Sequence, residues 1–225
     1  MNVRNLQNTP YLTNTFLAIQ TVVFLFAYLF PSLFIEFRGS MIGQLVAYQH
    51  EYWRFITPMF IHYGLMHFAV NSVVLYFMGQ QVEAAYGHKR FFVIYLVSGI
   101  AGNMMSFGFN TLGIQAAGSS TAIFGLYGAF IVLRFHFKDN PAIQMMVRQF
   151  SLFVVMSFLF GIFSRNVDIF GHLGGFIAGL LLGNVVGLPR KIREYSIHVR
   201  IISVLVLVFL LIFCIAFGMR RYGVL

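Results

Sequence analysis

Charged residues are scarce in this sequence, and acidic residues are the scarcest of them. Only 9% of the 225 residues are charged, and six acidic residues stand against 15 lysines and arginines. Soluble domains carry about 25% charged residues. A chain in which 59% of the residues are hydrophobic is therefore not a typical soluble domain. The composition instead indicates a protein that spans a membrane.

The scarcity of acidic residues also excludes several kinds of membrane enzyme and transporter. An aspartyl protease needs two aspartates inside the membrane, but Asp139 is expected in a cytoplasmic loop and Asp168 at the outer edge of the sixth run. A proton-coupled transporter normally has a carboxylate within the membrane, and no good candidate exists. The zinc-protease motif is incomplete, since the segment HEYWR at 50–54 has arginine in place of the second histidine. We therefore expect no metal and no cofactor.

Cysteine is nearly absent as well. The single cysteine, Cys214, lies within the last apolar run, so no disulfide can form within the chain. The first 11 residues are polar, and the apolar run behind them is too long for the core of a signal peptide. We expect this first run to remain in the membrane as an anchor.

Apolar residues are concentrated in seven runs, of which the fifth is the shortest. Runs of about 20 apolar residues are typical of transmembrane helices. No run alternates apolar and polar residues as the strands of a membrane barrel do, and backbone groups in lipid must be paired within the segment. We therefore predict an all-α, polytopic membrane bundle that forms a single domain over residues 1–225. The runs lie at about 12–30, 57–79, 91–108, 118–134, 150–163, 169–187 and 200–217.

The basic residues are distributed unequally between the two sides that these runs define. If the N-terminus is cytoplasmic, ten of them lie on the cytoplasmic side and five on the outer side. This excess predicts a cytoplasmic N-terminus and, after seven crossings, a C-terminus outside the cell membrane. The net charge of +9 then reflects topology and contact with lipid headgroups rather than a nucleic-acid interface. The cytoplasmic set is Arg4, Lys89, Arg90, Arg134, Lys138, Arg148, Arg190, Lys191, Arg193 and Arg200, and the outer set is Arg38, Arg54, Arg165, Arg220 and Arg221.

Two further features describe how the bundle is organised. The connection between the first two runs is 26 residues long and mixes aromatic with charged residues, so we expect a structured loop at the outer interface. The sixth run has glycine at every fourth position, which forms a smooth ridge along one helix face. Such ridges let helices pack closely in lipid. The partner would be the fourth run, where the small residues are Gly118, Ala122, Gly125, Gly128 and Ala129, and the ridge itself is Gly171, Gly175, Gly179, Gly183 and Gly187.

A few polar residues lie within the apolar runs, where such residues are costly and often mark function. Each has a structural alternative, because serines at a helix start are most often caps and single histidines or asparagines often bond neighbouring helices. Helices four and six both start at the outer face, so Ser120 and His172 are expected at similar depths. The polar set is His62, His67, Asn71, Ser72, Ser119, Ser120, Thr121 and His172.

This set contains the parts of a serine hydrolase. A histidine within hydrogen-bond reach of a serine can accept the hydroxyl proton, which turns Ser120 into a nucleophile activated by His172. His67 and Asn71 lie four residues apart on one helix face, and both can donate hydrogen bonds to an oxyanion. From the residues alone, a serine hydrolase and a purely structural role of these side chains both remain open.

The segment GSSTAIFG at 118–125 is similar to the GxSx motif of the rhomboid family of intramembrane serine proteases. GHLGG at 171–175 and HFAVN at 67–71 resemble the family's sixth-helix and second-helix motifs. WR at 53–54 and the glutamate Glu83 also match, the latter a structural residue at the end of the second helix. The resemblance covers about 12–187, which implies a six-helix core with one added C-terminal transmembrane helix.

This resemblance implies roles for individual residues. Ser120 would be the nucleophile and His172 the general base, while His67, Asn71 and the backbone N–H of Ser120 would stabilise the oxyanion. Two positions depart from the family pattern. Thr121 stands where many members have glycine, and a branched side chain there is expected to narrow the site. Phe124 stands where some members have tyrosine, and either ring can pack against the histidine.

We therefore predict an intramembrane serine endopeptidase that cleaves transmembrane protein substrates near the outer face of the membrane. Its partners would be these substrates and the lipid bilayer. One alternative is a non-catalytic rhomboid-like protein that binds client helices. Another is a small-solute transporter, which the missing repeats and missing embedded carboxylates disfavour.

Overall fold

Most of the chain folds into α-helices. The computed structural model describes residues 9–163, 167–188 and 195–225. Two short strands, β1 (Met41–Ile42) and β2 (Gln115–Ala116), form an antiparallel pair between two connections. Within the described residues the helices are α1 (Tyr11–Leu29), α2 (Ile35–Gly39), α3 (Gly43–Gln49), α4 (Gly64–Tyr86), α5 (His88–Phe109), α6 (Ser120–His136), α7 (Pro141–Phe163), α8 (Ile169–Val186) and α9 (Ile197–Arg221).

The long helices α1 and α4 to α9 correspond one to one to the seven apolar runs, so the prediction of an all-α bundle is confirmed. Among the described residues, four of them (α1, α5, α8 and α9) are long and apolar enough to cross a membrane. Helix α6 is apolar but shorter. The crossings by α4 and α7 stay predictions.

The predicted position of the second helix was wrong by about two turns. The run at 57–79 was expected to be helical, but α4 spans Gly64–Tyr86 and residues Thr57–Phe60 form a 3₁₀ turn. Pro58 lies in this turn, and the chain then reaches Gly64, whose positive φ of 75° is not helical backbone, so α4 begins at this glycine rather than at 57. At the other end, α4 continues because its polar residue Glu83 is buried and hydrogen-bonded. As a consequence, His62 lies before α4 rather than within it.

The fifth predicted run was too short. Helix α7 begins at Pro141, nine residues before the predicted start at 150. The first turns of α7 contain polar residues, so the apolar run in the sequence starts later than the helix itself. The Asn140 side chain caps the helix by accepting from the backbone N–H groups of Ala142 and Ile143 at 3.1 and 3.3 Å. Proline at the first helical position fits this cap because its missing N–H would have no partner there.

Helices α6 and α8 form the centre of the bundle and approach each other at backbone distance. A Cβ added to Gly175 would lie 2.0 Å from the carbonyl oxygen of Thr121. A Cβ on Gly179 would lie equally close, at 2.0 Å, to the carbonyl oxygen of Gly125. The predicted close packing of the fourth and sixth helices is therefore confirmed. Gly171 and Gly187, the two ends of the predicted ridge, have other environments: the first faces its own cap residue and the second has a positive φ of 57°.

The long connection between α1 and α4 is structured, as expected. Arg54 is buried at its centre and donates to the backbone oxygens of Phe37 and Ser40 at 2.9 and 2.5 Å. Its guanidinium also pairs with Glu51 at 2.5 Å. These bonds hold α2, the residue that follows it and Glu51 around one side chain. Several basic residues of the topology prediction lie outside the described residues, namely Arg4, Arg165, Arg190, Lys191 and Arg193.

Candidate active site

Ser120 and His172 meet at the start of two parallel helices. Ser120 is the first residue of α6 and His172 is the fourth residue of α8. Because the two helices pack at backbone distance, their first turns lie side by side. The hydroxyl oxygen Oγ of Ser120 is 2.8 Å from Nε2 of His172. At this distance a neutral imidazole whose Nε2 carries no proton accepts the hydroxyl hydrogen.

The backbone before Ser120 has a conformation that requires glycine. Gly118 has a φ of +123°, and its N–H donates to the carbonyl oxygen of Pro58 at 2.9 Å. A Cβ at this position would lie 2.7 Å from Nε2 of His67 and 3.4 Å from Oγ of Ser120. Glycine therefore leaves room for the imidazole of His67, and both this ring and the Ser120 hydroxyl border the space that a side chain at this position would fill.

His67 and Asn71 lie on the same side of α4, which faces the start of α6. Nδ1 of His67 accepts from the backbone N–H of Tyr63 at 3.4 Å. In the neutral ring the proton is then on Nε2, the nitrogen that approaches Gly118, so His67 is a donor there. Nδ2 of Asn71 donates one hydrogen to the carbonyl oxygen of His67 at 2.9 Å, and its amide has a second hydrogen. The structure thus brings all four predicted site residues together.

Ser119 is not a helix cap, although it occupies the cap position of α6. Within the described residues its side chain makes no capping hydrogen bond. Instead, the fully buried hydroxyl lies 3.4 Å from Nε2 of His62 and donates to Oδ1 of Asn71 at 3.4 Å. Burial lowers the pKa of His62 to about 3, so this imidazole is neutral at physiological pH. The sequence named these residues as polar features but did not connect them to Asn71.

Phe124 and Thr121 flank the pair differently. The ring of Phe124 stacks on the imidazole of His172 with a centroid distance of 4.3 Å and an interplanar angle of 10°, as expected. Thr121 does not narrow the site, which corrects the expectation from the sequence. Its side chain points to α5, where a Cβ on Gly102 would lie 2.8 Å from that of Thr121. Among the described residues, its buried hydroxyl has no hydrogen-bond partner.

A cavity of about 860 Å³ adjoins the Ser120–His172 pair. Ser120 and His172 themselves lie in its wall. Residues of α4 and α7 are among those that line it. They include Val70 and Asn71 of α4, and Phe153 and Met156 of α7. The cavity is mainly apolar, and the serine and its polar neighbours form part of its wall.

Asp168 and Asn110 were not predicted to lie at the site. Asp168 is the N-cap residue of α8, and its Oδ1 accepts from the N–H of Gly171 at 2.7 Å. The amide of Asn110, just after α5, donates to the same oxygen at 3.0 Å. Burial raises the pKa of Asp168 above its ordinary value. The sequence did contain a pattern that predicts this cap. Asp168 directly precedes the apolar run of α8, and aspartate is a preferred N-cap residue.

Comparison with known proteins gives one family. The model of the Rhomboid domain matches residues 49–189. Rhomboid protease GluP of Bacillus subtilis is 32% identical over 185 residues, which are 82% of this chain and 34% of that protein. RHOMBOID-like protein 1 of Arabidopsis thaliana is 35% identical over 159 residues, 68% of this chain and 39% of that protein.

A third relative is of similar size to this chain. Putative rhomboid protease YdcA of Bacillus subtilis is 31% identical over 183 residues, which are 80% of this chain and 89% of that protein. The chain thus spans well under half the length of the first two relatives but most of the length of the third.

Proposed function

This chain belongs to the rhomboid family of multi-pass membrane proteins, and from that premise we propose that it is an intramembrane serine endopeptidase. The observation that carries the proposal is the 2.8 Å contact between Oγ of Ser120 and Nε2 of His172 in the wall of a mainly apolar cavity. Similarity to proteins named as rhomboid proteases supports the same activity. The proposed substrates are transmembrane proteins.

In the proposed reaction, Ser120 and His172 act as a dyad. Oγ of Ser120 bonds to the carbonyl carbon of the scissile peptide while its proton passes to Nε2 of His172. The imidazolium then gives this proton to the leaving amine, and the peptide C–N bond breaks. A water molecule then gives a proton to the same imidazole and attacks the acyl carbon. The bond between this carbon and Oγ of Ser120 breaks, and the imidazolium returns the proton to Oγ. No acidic third member takes part in this scheme.

The negative charge that develops on the carbonyl oxygen needs donors on the opposite side from His172. We assign this role to the backbone N–H of Ser120, Nε2–H of His67 and the second amide hydrogen of Asn71. Support comes from the position of His67 beside Gly118 and from Asn71 in the cavity wall. Donors that are fixed before the reaction stabilise the charge without reorganising, which is where most of their effect arises.

The substrate would reach Ser120 between α4 and α7. Val70 of α4 and Phe153 of α7 both line the cavity, and this apolar lining suits an apolar segment that enters from the lipid. A substrate with small, helix-breaking residues would unwind most easily into an extended form at the serine. The proposed cleavage site is near the outer face of the membrane, with the N-terminus in the cytoplasm. Residues 1–225 would form one rhomboid-like unit, with a core at about 12–187 and an additional helix at about 200–217.

The decisive experiment compares the purified protein with its Ser120→Ala and Ser119→Ala variants. A fluorophosphonate probe should label the parent and the Ser119 variant but not the Ser120 variant. The same pattern is expected for cleavage of a generic transmembrane substrate in detergent. If the parent is not labelled and yet retains bound substrate, it is a non-catalytic protein that binds client helices. If labelling were lost only in Ser119→Ala, the nucleophile would be Ser119 and the assignment to Ser120 would be wrong.

The proposed orientation has its own test. Reporter fusions at Arg193 and at the C-terminus should report opposite sides of the membrane, with Arg193 cytoplasmic. This follows from the ten-to-five excess of basic residues on the predicted cytoplasmic side. Reports from the same side would mean that α9 does not cross the membrane. An outer report from Arg193 would mean that an odd number of the six preceding crossings is wrong, and α7 would be the first to check.

A further inference from the structure

A continuous path of hydrogen bonds joins the end of α9 to the start of α8. It begins at Arg221, the last residue of α9. Nη1 of Arg221 donates to the carbonyl oxygens of Gly108 and Asn110 at 2.7 and 3.0 Å. These carbonyls belong to the C-terminal end of α5, where the helix leaves carbonyl oxygens without intrahelical partners. The arginine therefore fixes the end of α5 to α9.

The path continues through the side chain of Asn110. Its amide donates to Oδ1 of Asp168 at 3.0 Å, and the same oxygen accepts from the N–H of Gly171 at 2.7 Å. The main-chain oxygen of Asp168 accepts from the N–H of His172 at 3.0 Å. Two bonds from Asp168 thus hold the backbone at His172 and at the residue immediately before it.

The first turn of α8 contains a glycine directly before His172, so the cap matters for the position of the histidine. The residue before His172 is Gly171, whose lack of a side chain gives the backbone unusual freedom. A larger residue has no room, because a Cβ at Gly171 would lie 2.5 Å from Oδ2 of Asp168. The carbonyl oxygen of Gly171 also approaches α5, lying 2.6 Å from the position of a Cβ on Gly102. Glycine is thus imposed by packing, and the cap supplies the rigidity that glycine lacks.

The arginine at the start of the path is itself held in place. Helix α9 packs on the end of α5 at backbone distance, since a Cβ on Gly108 would lie 3.0 Å from the carbonyl oxygen of Cys214. The rings of Phe109 and Phe217 stack with centroids 5.0 Å apart. The neighbouring Arg220 is exposed and lies at the same helix end. The position of Arg221 is therefore determined by packing rather than by charge alone.

We propose that Arg221, Asn110 and Asp168 are positioning residues for His172, so that the seventh long helix contributes to catalysis from outside the site. The proposal rests on the proposed protease function. Asp168 acts through the backbone, because its Oδ1 accepts from the N–H of Gly171. Asn110 donates to the same oxygen and so positions Asp168. Arg221 in turn donates to the main-chain oxygen of Asn110. A displacement of about 1 Å at a reacting group can cost a hundredfold in rate, so a loosened cap lowers turnover without removing any reacting atom.

The first test compares Arg221→Ala with the matched control Arg220→Ala, which removes the same charge from the same helix end. Turnover should fall about threefold to tenfold in Arg221→Ala, with the apparent KM and Ser120 labelling at saturation unchanged. The control should keep the parent turnover. Equal turnover in the two folded variants would overturn the proposal.

The second test separates a hydrogen-bond acceptor from a catalytic charge. Asp168→Asn keeps an oxygen that can cap α8, and asparagine caps helices as well as aspartate does. It should stay within about threefold of the parent, whereas Asp168→Ala should lose about tenfold or more in turnover. If both changes are equally damaging, the carboxylate charge acts directly on the imidazolium and the positioning role is wrong. The double variant Arg221→Ala/Asp168→Ala should cost little more than Asp168→Ala, because both act on one path.

A third measurement does not depend on activity. Hydrogen exchange of the backbone amides at residues 169–175 should be faster in Arg221→Ala and Asp168→Ala than in the parent, and unchanged in Arg220→Ala. If the parent neither cleaves nor labels, the protease proposal fails while exchange still tests the path. Unchanged exchange in Arg221→Ala would show that α9 does not hold the start of α8.

Discussion

Helix α4 carries buried or half-buried polar residues towards both ends, and the two groups differ in how their hydrogen bonds are used. Near the C-terminal end, Glu83 accepts from the backbone N–H groups of Leu12 and Thr13 at 3.0 and 2.8 Å. It also accepts from the Thr13 hydroxyl at 2.6 Å and lies 2.5 Å from Nδ1 of His88. This carboxylate caps α1, and every contact of the group is internal to the protein.

The other end of α4 carries His67 and Asn71. There the donors have capacity left over: Nε2 of His67 approaches Gly118, and Asn71 uses one of its two amide hydrogens on the carbonyl oxygen of His67 at 2.9 Å. Both residues lie in the wall of the cavity. A polar group that is satisfied inside the bundle stabilises the fold, whereas one with spare donors beside a cavity is available for chemistry. The predictions below test this distinction, from the largest expected effect to the smallest.

The largest effect is expected at the dyad. Replacing Ser120 or His172 by alanine should lower turnover by more than about a thousandfold, because the two side chains act as a unit. For the same reason the double variant should be hardly slower than either single one. Thermal unfolding and cleavage should be measured together, and all three variants should unfold near the parent temperature. Substantial cleavage by His172→Ala would show that another base serves Ser120.

Removing Glu83 should affect stability and spare the chemistry. Glu83→Ala leaves two N–H groups of α1 without an acceptor, and we expect the free energy of unfolding to fall by about 3 kcal/mol. Turnover per folded molecule should stay as in the parent. The exposed Glu36 provides the control, since Glu36→Ala removes the same charge without a buried contact. A loss of turnover in folded Glu83→Ala would abolish the distinction between the two ends of α4.

Removing Asn71 should have the opposite signature. We expect Asn71→Ala to lower turnover about tenfold to a hundredfold, less than the full effect of a single oxyanion donor because two others remain. The apparent KM should change little, since the interaction strengthens only as the oxyanion forms. Ser72→Ala is the matched control on α4, because its hydroxyl accepts from Gln20 at 2.7 Å. Reduced stability with unchanged turnover in Asn71→Ala would assign this residue to structure.

The smallest effect is expected at Thr121. This polar residue is neither hydrogen-bonded inside the bundle, among the described residues, nor placed in the wall of the cavity. Its buried hydroxyl has no hydrogen-bond partner among the described residues, and it faces Gly102 rather than the cavity. Thr121→Val keeps the shape and removes the unsatisfied group, so the free energy of unfolding should rise by about 1 kcal/mol. Turnover should stay within about twofold of the parent. A large change in turnover would mean that Thr121 acts at the site after all.

The sequence by itself determined the number and type of the long helices, because apolar runs of membrane length need no tertiary information to be recognised. It also predicted that Ser120 and His172 would lie together, since glycines at every fourth position of one run and small residues in another imply close packing of two helices. Their side chains are 2.8 Å apart.

The limits of α4 and α7 did not follow from apolar runs. Both helices extend through polar segments, at Glu83 and beyond Asn140, because the polar side chains there are paired or cap the helix. Hydropathy measures the free-energy cost of placing such residues in lipid. Most of this cost is removed when the polar side chain forms a hydrogen bond with another helix or with an adjacent turn.

Only the tertiary structure decided the direction of Thr121, the capping of α8 by Asp168, and the connection from Arg221 through Asn110. These contacts join residues up to 113 positions apart in the chain. The partner of each residue depends on which helix faces pack together. That packing depends in turn on close contacts at glycines, where a few tenths of an ångström matter. Residue type and spacing therefore determined which groups could do chemistry in this protein, whereas packing decided which of them are close enough to act.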